Sequence, residues 1–237
     1  MSQPAWRWLL DLMSAMRAAI VGRPTTNPLR VTTDQKVGSS NLAGRTLVRQ
    51  DVGMSTVHRV KITLKGVKPP IWRRLLVPSE LTLDQVHEVF QTAMGWSGYH
   101  LYAFRIGRTT YIDMDDDWSD DAVDPASAQL GDLLGSGDKF IYEYDFGDGW
   151  EHQVVVEDVL ASAGRARAVC LAGRRACPPE DVGGPWGYAD FLEAIADPAH
   201  ENHAELLEWI GGGFDPAAFD AAEVDNILAI AAAESGS

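Results

Sequence analysis

Residues 142–157, YEYDFGDGWEHQVVVE, are two alternating runs joined by Gly147, Asp148 and Gly149. Phe140, Tyr142, Tyr144 and Phe146 occupy every second position before the glycines, and Trp150, His152, Val154 and Val156 do so after them. Successive strand residues point to opposite faces, so each run has one apolar face. With a glycine placed for the left-handed position of a three-residue loop, the segment predicts a hairpin.

The same periodicity extends outward. Val60, Ile62 and Leu64 alternate with Lys61, Thr63 and Lys65, Gly66 to Pro70 interrupt the run, and residues 71–77 resume it. In that second strand Arg73 and Leu75 share one face, and Trp72, Arg74 and Leu76 the other. Residues 101–112 predict a further strand, followed by an acidic loop at 113–121. Thr82 with Gln85 forms a capping box, and Leu83, Val86, Val89, Phe90 and Ala93 fall on one helical face that should end near Gly95. After residues 188–196, which predict a helix, Asp197-Pro198 supplies a start signal for a second helix ending near Ile210, and Asp215-Pro216 repeats it. Strands first and helices last predict an α+β fold. Its sheet should be mostly antiparallel or mixed, with one helix packed after the first strand pair and a helical C-terminal third.

The 237 residues, 46% of them hydrophobic, are enough for one good-sized core. The apolar run at 6–21 is broken by Arg7, Asp11 and Arg17, so it is neither a membrane span nor a signal peptide. Cys170 and Cys177, without an export signal, are expected as free thiols in a cytoplasmic protein. Residues 1–53 hold seven basic and three acidic side chains, which leaves −18 on the rest of a chain whose net charge is −14. Such a body repels a phosphate backbone and disfavours binding to duplex DNA, the candidate basic face being limited to Arg73, Arg74, Arg165, Arg167, Arg174 and Arg175.

Residues 1–53 are rich in Gly, Pro, Thr, Asn and Ser and have no sustained period, the pattern of a disordered leader. Within them DQKVGSSNLAGRT resembles the conceptual translation of a transfer-RNA gene's 3′ half. The expectation is a spurious leader, translation from Met54 and a single domain at 54–237.

Three features could carry chemistry. Asp145, Asp148 and Glu151 around the hairpin, with His152 on the following strand, could hold a divalent ion or act as acid and base, and a turn aspartate with Trp150 and His152 sharing a sheet face explains the same residues structurally. Cys170, Cys177, His200 and His203 form a Cys2His2 set suited to zinc. The six-residue cysteine spacing is wider than usual, and buried thiols with solvated histidines are the alternative. CPPEDVGGPWGY, residues 177–188, is a rigid loop in which Trp186 and Tyr188, together with Trp150 of the hairpin, either present a binding surface or plug the core. The acidic segment at 113–121 lacks the glycine and glutamate of a calcium-binding EF-hand.

ITLKGVKPPIWRRLLVP, GWSGYHLYAF, YEYDFGDGWEHQVVVE, CLAGRRACPPEDVGGPWGY and LLEWIGGGFDP, in that order, resemble the plasmid pRiA4b ORF-3-like family over about residues 57–224. The resemblance implies a compact α+β domain, often encoded on plasmids or beside insertion sequences. Some members carry a resolvase-type label as passenger proteins. Recombinase chemistry is not supported by these residues: there is no basic recognition helix, and no arginine follows the last tyrosine, Tyr188, to stabilise charge at a phosphate. The favoured expectation is a non-enzymatic interaction or accessory domain of a mobile element, with another protein as partner and no membrane. The alternative is a metal-dependent enzyme, acting in nucleic-acid processing.

Overall fold

The computed structural model describes residues 55–112, 122–162 and 167–235. The leader at 1–53, the start at Met54, the acidic loop at 113–121 and Arg165 lie outside the described residues. In chain order the elements are β1 (Ser55–Leu64), β2 (Trp72–Pro78), α1 (Leu83–Met94), β3 (Tyr102–Ile106) and β4 (Thr109–Ile112), then a 3-10 turn (Pro125–Ser127) and α2 (Leu130–Leu133). There follow β5 (Lys139–Tyr144), β6 (Trp150–Ser162), β7 (Val169–Arg174), α3 (Gly184–Ala196), α4 (His203–Trp209) and α5 (Ala221–Ser235).

The seven strands form one sheet in the order β4-β3-β5-β6-β1-β2-β7, and every neighbouring pair is antiparallel. The fold is α+β, as the element order predicts. Alternation decides which face is buried: Val60, Ile62, Leu64, Leu75, Val77, Phe140, Tyr142, Trp150, Val154 and Val156 all point into one core. Against this face lies α1, whose Gln85 side chain accepts a hydrogen bond from the Thr82 backbone N–H and whose C-terminus is closed by Gly95 in the left-handed region (φ 89°). Leu83, Val86, Phe90 and Ala93 are its buried stripe. α5 packs on β7 and against α1, while α3 and α4 pack on each other.

The opposite face carries paired charges. Arg74 clamps Glu157 with two hydrogen bonds of 2.7 and 2.8 Å. Arg105 meets Glu143 and Glu151, each at 2.6 Å. The Arg74 guanidinium holds the Glu157 carboxyl below its ordinary range.

Four local expectations are corrected. Residues 101–112 form a hairpin rather than one strand, because Gly107 takes φ 61° and Ile106 pairs with Thr109. The loop of the central hairpin has five residues, not three: Tyr144 pairs with Trp150, and Asp145 enters the left-handed region at φ 56°. At both Asp-Pro pairs the aspartate binds the backbone N–H two residues on, Ala199 at 2.9 Å and Ala217 at 2.8 Å, and closes a turn instead of starting a helix. α4 begins only at His203, and α5 is capped by Asp220, which accepts from Ala222 N at 2.8 Å. No helix among the described residues is long and apolar enough to cross a membrane.

Two core imidazoles depend on pH. Gln91 Nε2 donates to the Tyr142 hydroxyl at 2.7 Å, and that hydroxyl stands 2.7 Å from His87 Nδ1, which a neutral ring can use as an acceptor. Burial lowers His87 to about 4 and His152 to about 3. Their contribution is complete above the unfolded value near 6.5 and is lost as pH falls from there toward the folded values. Glu157 and Asp225 begin to lose theirs only near and below the ordinary carboxylate range, so the window from pH 6.5 to 5 belongs to the imidazoles. Chemical denaturation at pH 7 and pH 5 is expected to show a loss of about 3–4 kcal/mol. His87→Gln should roughly halve that loss, and a flat profile would contradict neutral burial.

Candidate functional site

At one end of the sheet three loops meet: residues 95–101 after α1, residues 145–149 between β5 and β6, and residues 177–183 before α3. The first is anchored from inside. Trp96, buried against Tyr144 and Trp150, donates its indole N–H to the Pro178 carbonyl at 2.9 Å. Ser97 N donates to Glu180 at 3.1 Å, and the Tyr144 hydroxyl donates to the same carboxylate at 2.6 Å. Burial, reinforced by Glu180, pushes Tyr144 far above its ordinary value, so the phenol keeps its proton as a donor.

Asp145 is the hinge of the second loop. Its N–H donates to Leu101 O at 2.8 Å, and its carboxylate Oδ1 accepts from Gly147 N at 3.0 Å and Asp148 N at 3.3 Å. Asp148 then reaches the third loop, accepting from Gly183 N at 3.1 Å. Gly184, at φ 68°, lies so close that a Cβ there would sit 2.3 Å from the Asp148 carbonyl oxygen. That approach admits only glycine.

Between the loops stands His100. Its Nε2 is 3.1 Å from Asp181 Oδ1 and 3.6 Å from Asp145 Oδ2. Tyr99 donates to the other Asp181 oxygen at 2.8 Å. Burial first, and the Asp181 hydrogen bond second, raise Tyr99 far above the usual phenol value. Asp145 is only 8% exposed, whereas the Asp181 side chain is 58% exposed, so the group runs from the core to the surface.

The residue pattern GWSGYH, YDFGDGW and CPPEDVGGPWGY at this junction is matched by the model of the family described as plasmid pRiA4b ORF-3-like protein, over residues 56–223. The chain belongs to that family. A relative in it, the uncharacterized protein y4hQ of Sinorhizobium fredii (strain NBRC 101917 / NGR234), is 43% identical over 178 residues, covering 74% of this chain and 92% of its own length. The crystal structure of MM3350, a protein of unknown function from Methanosarcina mazei Go1, shares 34% identity with a TM-score of 0.66, over 72% of this chain and 98% of that one. The family is plasmid-associated by name, and the relatives' titles assign no activity.

In this family member the expected site residues separate. Asp145 and Asp148 share the loop junction, but His152 does not join them: it follows the alternation of β6 into the core, beside Trp96 and Tyr142, and is fully buried. Cys170, Cys177, His200 and His203 are not gathered around one point, and His203 Nδ1 donates to the Ala194 carbonyl at 2.9 Å. Cys177 faces Met94 and Arg73, and burial pushes its thiol up to about 11. Of the three expected binding aromatics, Trp150 and Tyr188 are buried, Tyr188 against Phe191 and Phe214, whereas Trp186 is 85% exposed.

Sequence spacing misses His100, Tyr99, Glu180 and Asp181. They lie within the GWSGYH and CPPEDVGG blocks, but no local period links segments about eighty residues apart.

Beside the junction, α3 and α4 enclose a cleft of about 590 Å³ lined by Asp181, Asp190, Glu193, Glu201, Glu205 and Trp209 among others. Trp186, Asp190 and Glu193 follow the i, i+4, i+7 spacing of one face of α3. Replacing Gly184 by Ala should break the clamp on Asp148, costing about 2–4 kcal/mol through overpacking and the left-handed backbone. Denaturant unfolding measures this, and a loss below about 0.5 kcal/mol would show that the loops do not need that approach.

Proposed function

We propose that the protein is a non-enzymatic interaction domain that docks a lysine- or arginine-bearing segment of a partner protein in the cleft between α3 and α4. The observation that carries this reading is the cleft's composition. Residues 176–237 contain thirteen carboxylic side chains and no lysine or arginine, and five of those acids line the cleft. Trp209, 47% exposed, adds an aromatic face. Carboxylates attract cationic side chains over a distance and an indole face holds them at short range, guanidinium groups best of all.

Rigidity supports the same reading. Trp186 lies in the first turn of α3, whose entry is fixed by Pro185 and by the Gly183–Asp148 hydrogen bond, so little ordering is needed when a partner arrives. Duplex DNA is the wrong partner for such a surface. The candidate basic side chains are also largely engaged elsewhere: Arg73 is buried, Arg74 holds Glu157, and Arg167 holds Asp225 at 2.8 Å.

Fluorescence anisotropy with a labelled lysine- and arginine-rich peptide tests the proposal. Binding should weaken as salt rises, and Glu193→Lys or Trp209→Ala should each reduce affinity about tenfold or more, near 1.4 kcal/mol. An acidic peptide of equal length should not bind. Equal affinity for both peptides, or indifference to Glu193→Lys, would overturn the reading.

A further inference from the structure

His100, Asp145 and Asp181 come from three separate loops, yet their ligand atoms all lie within 4.8 Å of one another, the sole such group of histidine, cysteine and acidic side chains among the described residues. The His100 nitrogen has no satisfactory partner. Nε2 is buried, and neither its 3.1 Å approach to Asp181 nor its 3.6 Å approach to Asp145 has hydrogen-bond geometry. A protonated ring would aim its N–H at one oxygen; a neutral one with its lone pair on this side would face two carboxylates. A cation between the three atoms satisfies all of them.

We propose that His100, Asp145 and Asp181 bind a first-row divalent transition ion, zinc or manganese. Ligands about 2.1 Å from such an ion stand roughly 3.0–3.4 Å apart in octahedral or tetrahedral arrangement. The two distances from His100 Nε2 fall on or close to this range. One imidazole with two carboxylates suits zinc, iron or manganese, while calcium requires six to eight oxygens. The outer contacts orient the ligands as metal sites require. Tyr99 holds the far oxygen of Asp181, and the Gly147 and Asp148 N–H groups hold the far oxygen of Asp145. Each carboxylate therefore turns its other oxygen toward His100. Three protein ligands leave the coordination sphere open on the solvent side, where Asp181 is exposed.

The ion would add positive charge at the edge of the acidic cleft, since Asp181 also lines it. The ion can be titrated with no peptide present, so failure of this site and failure of the docking cleft are read in separate measurements.

The test uses the full, untagged chain, stripped with a chelator, and titrates zinc chloride and manganese chloride by calorimetry and equilibrium dialysis. One equivalent is expected. Asp145→Asn, which keeps the backbone hydrogen bonds of the loop, and His100→Gln should each weaken binding more than tenfold, and Tyr99→Phe about tenfold. His200→Ala, His203→Ala and Cys177→Ser should leave it unchanged. The ion should raise Tm in the parent protein but not in Asp145→Asn, and circular dichroism checks that the variant is folded. Failure to bind either ion up to millimolar concentration would overturn the proposal. So would binding that survives Asp145→Asn but is lost in His203→Ala. Asp145→Asn with normal peptide affinity and no ion would separate this site from the docking cleft.

Discussion

The guanidinium of Arg73 is buried in the middle of the fold and binds segments that are far apart in sequence. Its Nε donates to Ala93 O at the C-terminus of α1 at 2.9 Å, and its Nη1 donates to Arg174 O on β7 at 3.2 Å. Nη2 reaches Cys177 Sγ at 3.5 Å, and the group lies over the Phe219 ring at 4.3 Å. A buried charge is costly unless its donors are met, so the ends of α1 and β7, the start of the proline loop and the approach to α5 are all constrained by one side chain. The carbonyls at a helix C-terminus carry partial negative charge, which suits a cation there. Gly173 keeps the space free: a Cβ at that position would sit 2.4 Å from Phe219 and 2.9 Å from the Arg73 side chain.

The loop junction depends on that arrangement. Cys177, held beside Arg73, begins the loop that carries Glu180 and Asp181 to the surface, and Trp96, one residue beyond the cap of α1, meets the same loop at Pro178. The backbone turns at Asp145 and Asp181, both at positive φ, bring two carboxylates toward one imidazole. Such conformations persist where surrounding contacts over-determine them, as the hydrogen bonds to Leu101, Gly147 and Gly183 do here.

The sheet was legible in the sequence because alternation is a local signal: Phe140, Tyr142 and Tyr144 declare their face without any partner. α1 was legible for the same reason, since Thr82, Gln85 and Gly95 act within a turn of the residues they cap. Asp197 and Asp215 were misleading because an aspartate before proline can bind the N–H two residues on whether or not a helix follows. Trp150 and Tyr188 are aromatic residues whose burial is set by which side of β6 or α3 they occupy, and composition does not reveal that. The pairing of His100 with Asp181 arises only when separate loops are brought together by Arg73 and Trp96, a tertiary fact with no trace in spacing.

The strand order has a consequence for biosynthesis. β1 lies inside the sheet, yet it is flanked on one side by β6, so that Ser55 pairs with Ser162 and Leu64 with His152. While the polypeptide leaves the ribosome N-terminus first, β1 and β2 can pair early, but the other edge of β1 stays open until β6, Trp150–Ser162, has emerged. During that interval an apolar strand offers unpaired backbone groups to any passing chain. The exposure ends only when the second arm of the central hairpin docks, which makes this a topology of non-local closure and slow folding. Arg59 and Lys61, on the outward face of β1, place like charges along the waiting edge and oppose its pairing with a second copy.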